Sequence, residues 1–195
     1  MSITLYWYWT TNPQKVRLAL EELGLAYSLK KIHLGYQEHK TDEYKRIHPL
    51  QLVPALDIDG GILWESGAAL QYLANREQKL QPQDFFMGQN LLFLETGTVQ
   101  KLAGVHFWQK KIAPLLGKQP DQQAITKATR DLQPLFRILD QQLQQHAYLC
   151  GDFSIVDCAY APWWPYLDLE GWASLQDYQN RITARRSWKI CGIRD

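Results

Sequence analysis

The sequence predicts an α/β unit over residues 1–77 followed by an all-α helical unit over residues 85–195. Three observations carry that prediction. Short β-type runs alternate with helical periodicity up to about residue 76. A polar stretch, Gln78 to Gln83, then interrupts the pattern. Beyond it strand signals nearly vanish, and apolar residues recur at intervals of three and four, the spacing of one helix face.

Thr4 to Trp7 and Ser28 to His33 read as strands around a helical run, Pro13 to Leu23, which is a βαβ opening. Asn12 suits the N-cap and Pro13 the first helical position, where a missing N–H costs nothing. Gly24 comes directly after the last periodic residue as a stop. Ala55–Ile58 and Ile62–Trp64 flank Asp59-Gly60-Gly61, the composition of a tight hairpin turn. A helix from Ser66 to about Arg76 closes the unit. The order β-α-β then β-β-α requires a mixed sheet with helices packed on it.

In the second half Leu91, Leu94, Val99, Leu102 and Phe107 line one helical segment. Leu132, Leu135, Leu139 and Leu143 line another, which Pro134 is expected to kink or divide. Ser154-Ile155-Val156-Asp157 places a hydroxyl N-cap three residues before a carboxylate, the spacing of a capping box at the start of a buried helix.

Composition narrows the function. With 21 Lys plus Arg against 20 Asp plus Glu the formal charge is +1, so neither nucleic acid nor an anionic membrane is indicated as a partner. The chain enters an alternating Ile3-Thr4-Leu5-Tyr6-Trp7 run without a basic flank and apolar core, so a cytoplasmic location is expected. No apolar stretch approaches a bilayer span. Cys150, Cys158 and Cys191 form no CxxC pair and no even set, which points to reduced structural thiols. The five histidines show no ligand spacing, so no metal site is expected.

Lys15 through Gly24, then Val53-Pro54-Ala55-Leu56, then Glu65-Ser66, and later Gly151 through Asp157 occur in an order and spacing that resemble the cytosolic glutathione transferases over essentially the whole chain. The short cyanobacterial chi class looks similar. The resemblance implies a thioredoxin-like first unit, a helical bundle second, a homodimer, and glutathione as co-substrate with no cofactor.

Glutathione carries two carboxylates, an ammonium and a thiol. Glu65-Ser66 falls at a helix start, where unpaired N–H groups and the dipole favour a carboxylate. Ser66 is therefore expected to hold the γ-glutamyl carboxylate and Glu65 the neighbouring ammonium. The resemblance makes the Val53–Pro54 bond cis, with Val53 backbone groups on the cysteinyl unit. It also places Gln51, His39 and Lys40 near the glycyl carboxylate. Leu52 stands where many relatives carry Lys or Gln.

A free thiol with pKa about 8.5 is only a few per cent thiolate at neutral pH. Lowering that value by about two units corresponds to roughly 2.7 kcal/mol. A hydroxyl hydrogen bond to the anion contributes about 1.5–3 kcal/mol and a helix N-terminus about 0.3–1 kcal/mol. Thr10 and Thr11 occupy the segment where related transferases carry Tyr, Ser or Cys, and the Asn12 amide is a third donor. All three stay open. Because no cysteine precedes Cys150, conjugation by glutathione itself outranks disulfide exchange through an enzyme thiol.

Trp9, Phe107, Trp108 and Trp163 are the candidates for an electrophile pocket, since aromatic side chains line apolar slots and stack on flat substrates. The function expected is detoxifying conjugation of glutathione to small hydrophobic electrophiles such as isothiocyanates. The alternative is a non-catalytic binding module of the same fold.

Overall fold

Strand β1 (Ile3–Trp7) leads into helix α1 (Thr11–Leu23) and then β2 (Ser28–Lys31), in a computed structural model that describes residues 2–193. Met1 and residues 194–195, the outer ends of the two predicted units, lie outside the described residues. Two short 3-10 turns, Leu34–Tyr36 and Glu38–Lys40, precede α2 (Asp42–Ile47). β3 (Ala55–Ile58), β4 (Gly61–Leu63) and α3 (Ser66–Glu77) complete the first half. The sheet order is β2-β1-β3-β4, with β1 parallel to β2 and antiparallel to β3, and β3 antiparallel to β4. This is the mixed sheet the element order requires, because β1 and β2 are joined by a helical crossover and β3 and β4 by a two-residue turn.

Three details differ from the sequence reading, the first being β4, which takes in Gly61 and ends at Leu63 instead of running Ile62–Trp64, because the turn needs only Asp59 and Gly60. β2 ends at Lys31 rather than His33, since the His33 ring is engaged in capping the next turn and accepts from the Tyr36 N–H at 3.2 Å. α1 begins at Thr11, and Thr10, not Asn12, is its N-cap, with extended backbone and no side-chain cap bond. Pro13 remains compatible because the first-turn N–H groups have no intrahelical acceptor. Gly24 ends the helix at φ 67°, its N–H donating to the Leu20 and Glu21 carbonyls, a conformation in which a Cβ is strained.

The second half is helical among the described residues. α4 (Phe85–Leu94), α5 (Gln100–Phe107) and α6 (Ala113–Leu115) are separated by π-helical turns at Glu95–Val99 and Trp108–Ile112. Each π turn adds a residue to the helical repeat and rotates the helix beyond it. Leu91, Val99 and Phe107 are buried, whereas Leu94 and Leu102 are only half-buried.

α7 (Gln122–Leu143) runs through Pro134 without dividing. The proline lies on the exposed face, as does Arg130, whose carbonyl it deprives of a donor. Water can serve that carbonyl, while Ile125, Ala128, Leu132, Leu135, Phe136, Leu139 and Leu143 hold the opposite face in the core. α8 (Ile155–Tyr160) carries the expected capping box, continues as a 3-10 segment, Ala161–Tyr166, and is succeeded by α9 (Ala173–Ala184) and α10 (Arg186–Cys191). One apolar cluster joins the halves, running from Leu5, Val16 and Leu70 to Leu91, Val156 and Trp164. α1 packs on α3, α8 and α10, so it is held by both halves.

Candidate functional site

The register of the sheet brings three of the predicted segments to one edge. Tyr6 pairs with Ala55 and Leu56 with Leu63. Continuing those ladders sets the chain after β1 opposite Val53–Pro54, and Glu65 opposite Pro54. The segment before α1, the loop before β3 and the N-terminus of α3 therefore meet, because antiparallel strands bring the end of one to the start of the next.

Each segment is shaped locally. The Val53–Pro54 peptide is cis. Tyr44, buried on α2, donates its hydroxyl to the Leu52 carbonyl at 2.7 Å, which ties the loop to the first unit. Gln51 sits half-buried at φ 54°, its N–H held by the His48 carbonyl at 2.8 Å. Glu65 is the N-cap of α3, makes no side-chain cap bond and is exposed, while Ser66 is buried. The first bond inside the helix runs from the Ala69 N–H to the Glu65 carbonyl, so the Ser66, Gly67 and Ala68 N–H groups are the unpaired donors of a helix start. That arrangement is an anion receptor with a carboxylate beside it.

The turn entering α1 separates its polar residues. Thr10 is half-buried, and its hydroxyl is not consumed in capping. Thr11 is buried and helps line a recess of about 110 Å³ with Trp9, Gln14, Lys111, Pro162 and Tyr166. Asn12 is half-buried, and its Oδ1 has no hydrogen-bond partner. His39 and Lys40 lie on the 3-10 turn ahead of α2, the first half-buried and the second exposed. Burial, aided by the Lys40 charge, holds the His39 imidazole below its usual pKa, so it is neutral at pH 7.

The aromatic candidates divide. Trp9 and Phe107 meet edge to face at 6.1 Å between ring centroids, and Phe107 meets Tyr166 at 5.0 Å, so these rings form one wall beside the recess. Trp108 is exposed on the second π turn. Trp163 is buried, and its indole N–H donates to Glu95 at 2.8 Å rather than facing the recess. Tyr166, at the end of the same 3-10 segment, lines the recess.

Sequence reasoning missed Gln14, Lys111 and Tyr166. It also missed Lys15, a fully buried lysine on the same stripe of α1 as Thr11 and Leu18. A cation at that spacing within an apolar face was the available signal. The three cysteines are buried free thiols, and burial pushes Cys150 and Cys191 up to about 12, so neither is a thiolate at neutral pH.

Fold and site together define a two-part protein in which a sheet unit offers an anion-binding helix start and a helical unit supplies an aromatic wall. Residues 1–75 match the N-terminal domain of glutathione S-transferase, and residues 122–184 match its C-terminal domain. The chain is 32% identical to the disulfide-bond oxidoreductase YfcG of Escherichia coli K12, over 94% of this chain and 91% of that protein. It superposes on glutathione transferase F7 of Populus trichocarpa with a TM-score of 0.88 at 23% identity, covering 97% of both chains. A glutathione transferase of Pseudomonas putida, solved with one glutathione disulfide per subunit, is 25% identical, with a TM-score of 0.83 over 97% of this chain and 90% of that one.

The chain belongs to the glutathione S-transferase family, enzymes for which glutathione is the co-substrate. Its fold is the family's thioredoxin-like unit joined to a helical bundle.

Proposed function

We propose that the protein binds glutathione at the α3 N-terminus and conjugates its thiolate to small hydrophobic electrophiles, isothiocyanates among them. The observation that carries this reading is the meeting of Glu65, Ser66 and the cis Val53–Pro54 loop beside a Thr10 hydroxyl that caps nothing. Ser66 and the free N–H groups receive the γ-glutamyl carboxylate, and Glu65 the ammonium. Val53 backbone groups pair with the cysteinyl unit. Gln51, His39 and Lys40 face the glycyl carboxylate.

The sulfur then lies near the start of α1, where Thr10, Thr11 or Asn12 donates to it and the helix dipole favours the anion. Thr10 is the first choice, because Thr11 lines the recess. The recess bounded by Trp9 and Tyr166 takes the electrophile, and holding both reactants there raises the rate. The thiolate attacks the electrophilic carbon. Chloride leaves an aryl chloride, whereas an isothiocyanate nitrogen takes up a proton.

The division into residues 1–77 and 85–195 places glutathione on the first unit and most of the electrophile wall on the second. Exposed Trp64, Tyr72, Phe85, Phe86 and Phe93 offer an apolar face for a homodimer, which sedimentation velocity tests. Detoxification in the cytoplasm is the role we assign. Among the described residues no helix is long and apolar enough to cross a membrane.

A second reading is favoured by the likeness to the Escherichia coli disulfide-bond oxidoreductase. Two glutathione molecules can reduce a disulfide without an enzyme thiol: one attacks, expelling a thiolate and forming a mixed disulfide, and the second resolves it to glutathione disulfide. Steady-state assays with chlorodinitrobenzene, an aryl isothiocyanate and hydroxyethyl disulfide separate the readings. Turnover of either carbon electrophile above the uncatalysed rate is expected. Turnover of the disulfide alone would replace conjugation by reduction, and glutathione binding without any turnover would favour a binding module.

A further inference from the structure

Lys15 has no exposed surface, and burying an ammonium is costly unless it is paired. Its Nζ lies 2.6 Å from Glu95 Oε1, the oxygen that also accepts the Trp163 indole N–H at 2.8 Å, and 5.0 Å from the centroid of the Trp163 ring. The pair crosses between the units, since Lys15 belongs to α1 and Glu95 opens the π turn after α4.

That π turn is also what the N-terminus of α3 rests on. A Cβ added to Gly67 would lie 3.4 Å from Thr96 Cγ2, and Glu65, Gly67 and Ala68 share the walls of a 260 Å³ recess with Leu92, Phe93 and Thr96. Glu95 and Thr96 are neighbours on that turn, so the Lys15–Glu95 pair braces the surface against which Glu65, Gly67 and Ala68 are set. Burial lowers the Lys15 pKa, and the Glu95 and Glu65 carboxylates work against that lowering. An ammonium has three donors. Glu95 takes one of those donors and neutralises the buried ammonium, which leaves the exposed Glu65 carboxylate without an ion-pair partner among the described residues and open to a cation from solvent.

We propose that Lys15, by pairing with Glu95 beside Trp163, is a positioning residue that holds the π turn under the α3 N-terminus and so sets the Glu65 carboxylate toward the ammonium of glutathione. The helical unit thereby sets the glutathione affinity of the sheet unit. This inference rests on the reading that Glu65 receives the γ-glutamyl ammonium. Well-fitted apolar replacements of a buried ion pair are often neutral in stability, so the double replacement of Lys15 and Glu95 is the variant that separates positioning from folding.

Calorimetric titration with glutathione and with its deaminated analogue, which lacks that ammonium, tests the proposal. The proteins are the parent, Lys15→Met, Lys15→Met with Glu95→Leu, Lys15→Arg, Glu65→Gln, and Lys15→Met with Glu65→Gln, each first shown to be folded by denaturant unfolding. The parent is expected to prefer glutathione over the analogue by about tenfold, the worth of one charge-assisted bond. Lys15→Met with Glu95→Leu, which removes both buried charges, abolishes that preference and leaves analogue affinity unchanged. Adding Lys15→Met to Glu65→Gln costs nothing further, and Lys15→Arg retains part of the preference.

Equal weakening of both ligands in the Lys15 variants, or losses that add to Glu65→Gln, would overturn the proposal. A parent that binds glutathione and its analogue alike removes the assignment of Glu65. A parent that binds neither removes the functional reading itself.

Discussion

Tyr178 donates its hydroxyl to Asp157 Oδ1 at 2.8 Å, in a site where neither side chain has any exposed surface. The same carboxylate accepts the Leu149 N–H at 3.0 Å and the Ser154 N–H at 2.8 Å. One acid thus caps α8, holds the Tyr148–Gly151 bridge in place and anchors α9. Asp157→Ala leaves these donors buried and unpaired, and is expected to cost about 3 kcal/mol. Urea unfolding should show a lower midpoint at unchanged slope.

The second unit is tied to the C-terminal end of α1 by Arg185, which meets Glu22 through two bonds of 2.7 Å, with Ser187 donating to the same carboxylate. Burial raises the Glu22 pKa, but the Arg185 and Ser187 bonds together outweigh it, so the folded value lies below the ordinary 4.5. A depressed folded value means stability that is present above about pH 4.5 and lost as pH falls through the folded pKa. Glu22→Gln should therefore cost about 1–2 kcal/mol at pH 7, after screening of a partly exposed pair, and progressively less as pH falls through the folded pKa. Unfolding free energies across a pH series below 7 measure the difference.

At the start of α3, Ser66→Ala removes a buried hydroxyl from the proposed carboxylate receptor. Glutathione affinity is expected to fall about tenfold or more. Thermal stability should hardly change, because Glu65 rather than Ser66 is the N-cap. Calorimetry and a melting curve on one preparation check both halves.

The two threonines should behave differently. Thr10→Val is expected to leave glutathione affinity intact, to reduce turnover about tenfold or more at neutral pH, and to shift the acidic limb of the kcat/KM profile upward. Thr11→Val, in the wall of the recess, should change the KM for the electrophile. Profiles unchanged in both variants would transfer sulfur activation to Asn12.

Pro134 gives a prediction on stability alone. Pro134→Ala restores a backbone donor in α7 without touching the buried stripe. The gain from the helix exceeds the entropy that proline removes from the unfolded chain, for a net stabilisation of about 1–2 kcal/mol. A higher urea midpoint would register it.

The sequence by itself determined several local boundaries. Gly24, the Asp59-Gly60 turn and the Ser154–Asp157 box mark boundaries because caps and turns act over a few residues, and the stripe of α7 marks a buried face for the same reason. The helix start at Glu65-Ser66 was legible on those grounds too.

Tertiary structure decided which polar groups face one another. Whether Trp163 lines a pocket or serves Glu95 depends on π turns that rotate the helix, and no periodicity announces those. Lys15 reads as an ordinary helical cation until α1 is seen enclosed by both units, because the partner that makes its burial tolerable lies 80 residues away. Thr10 and Thr11 are adjacent and chemically alike; only the packing of α1 turns the second into the recess and leaves the first at the helix mouth.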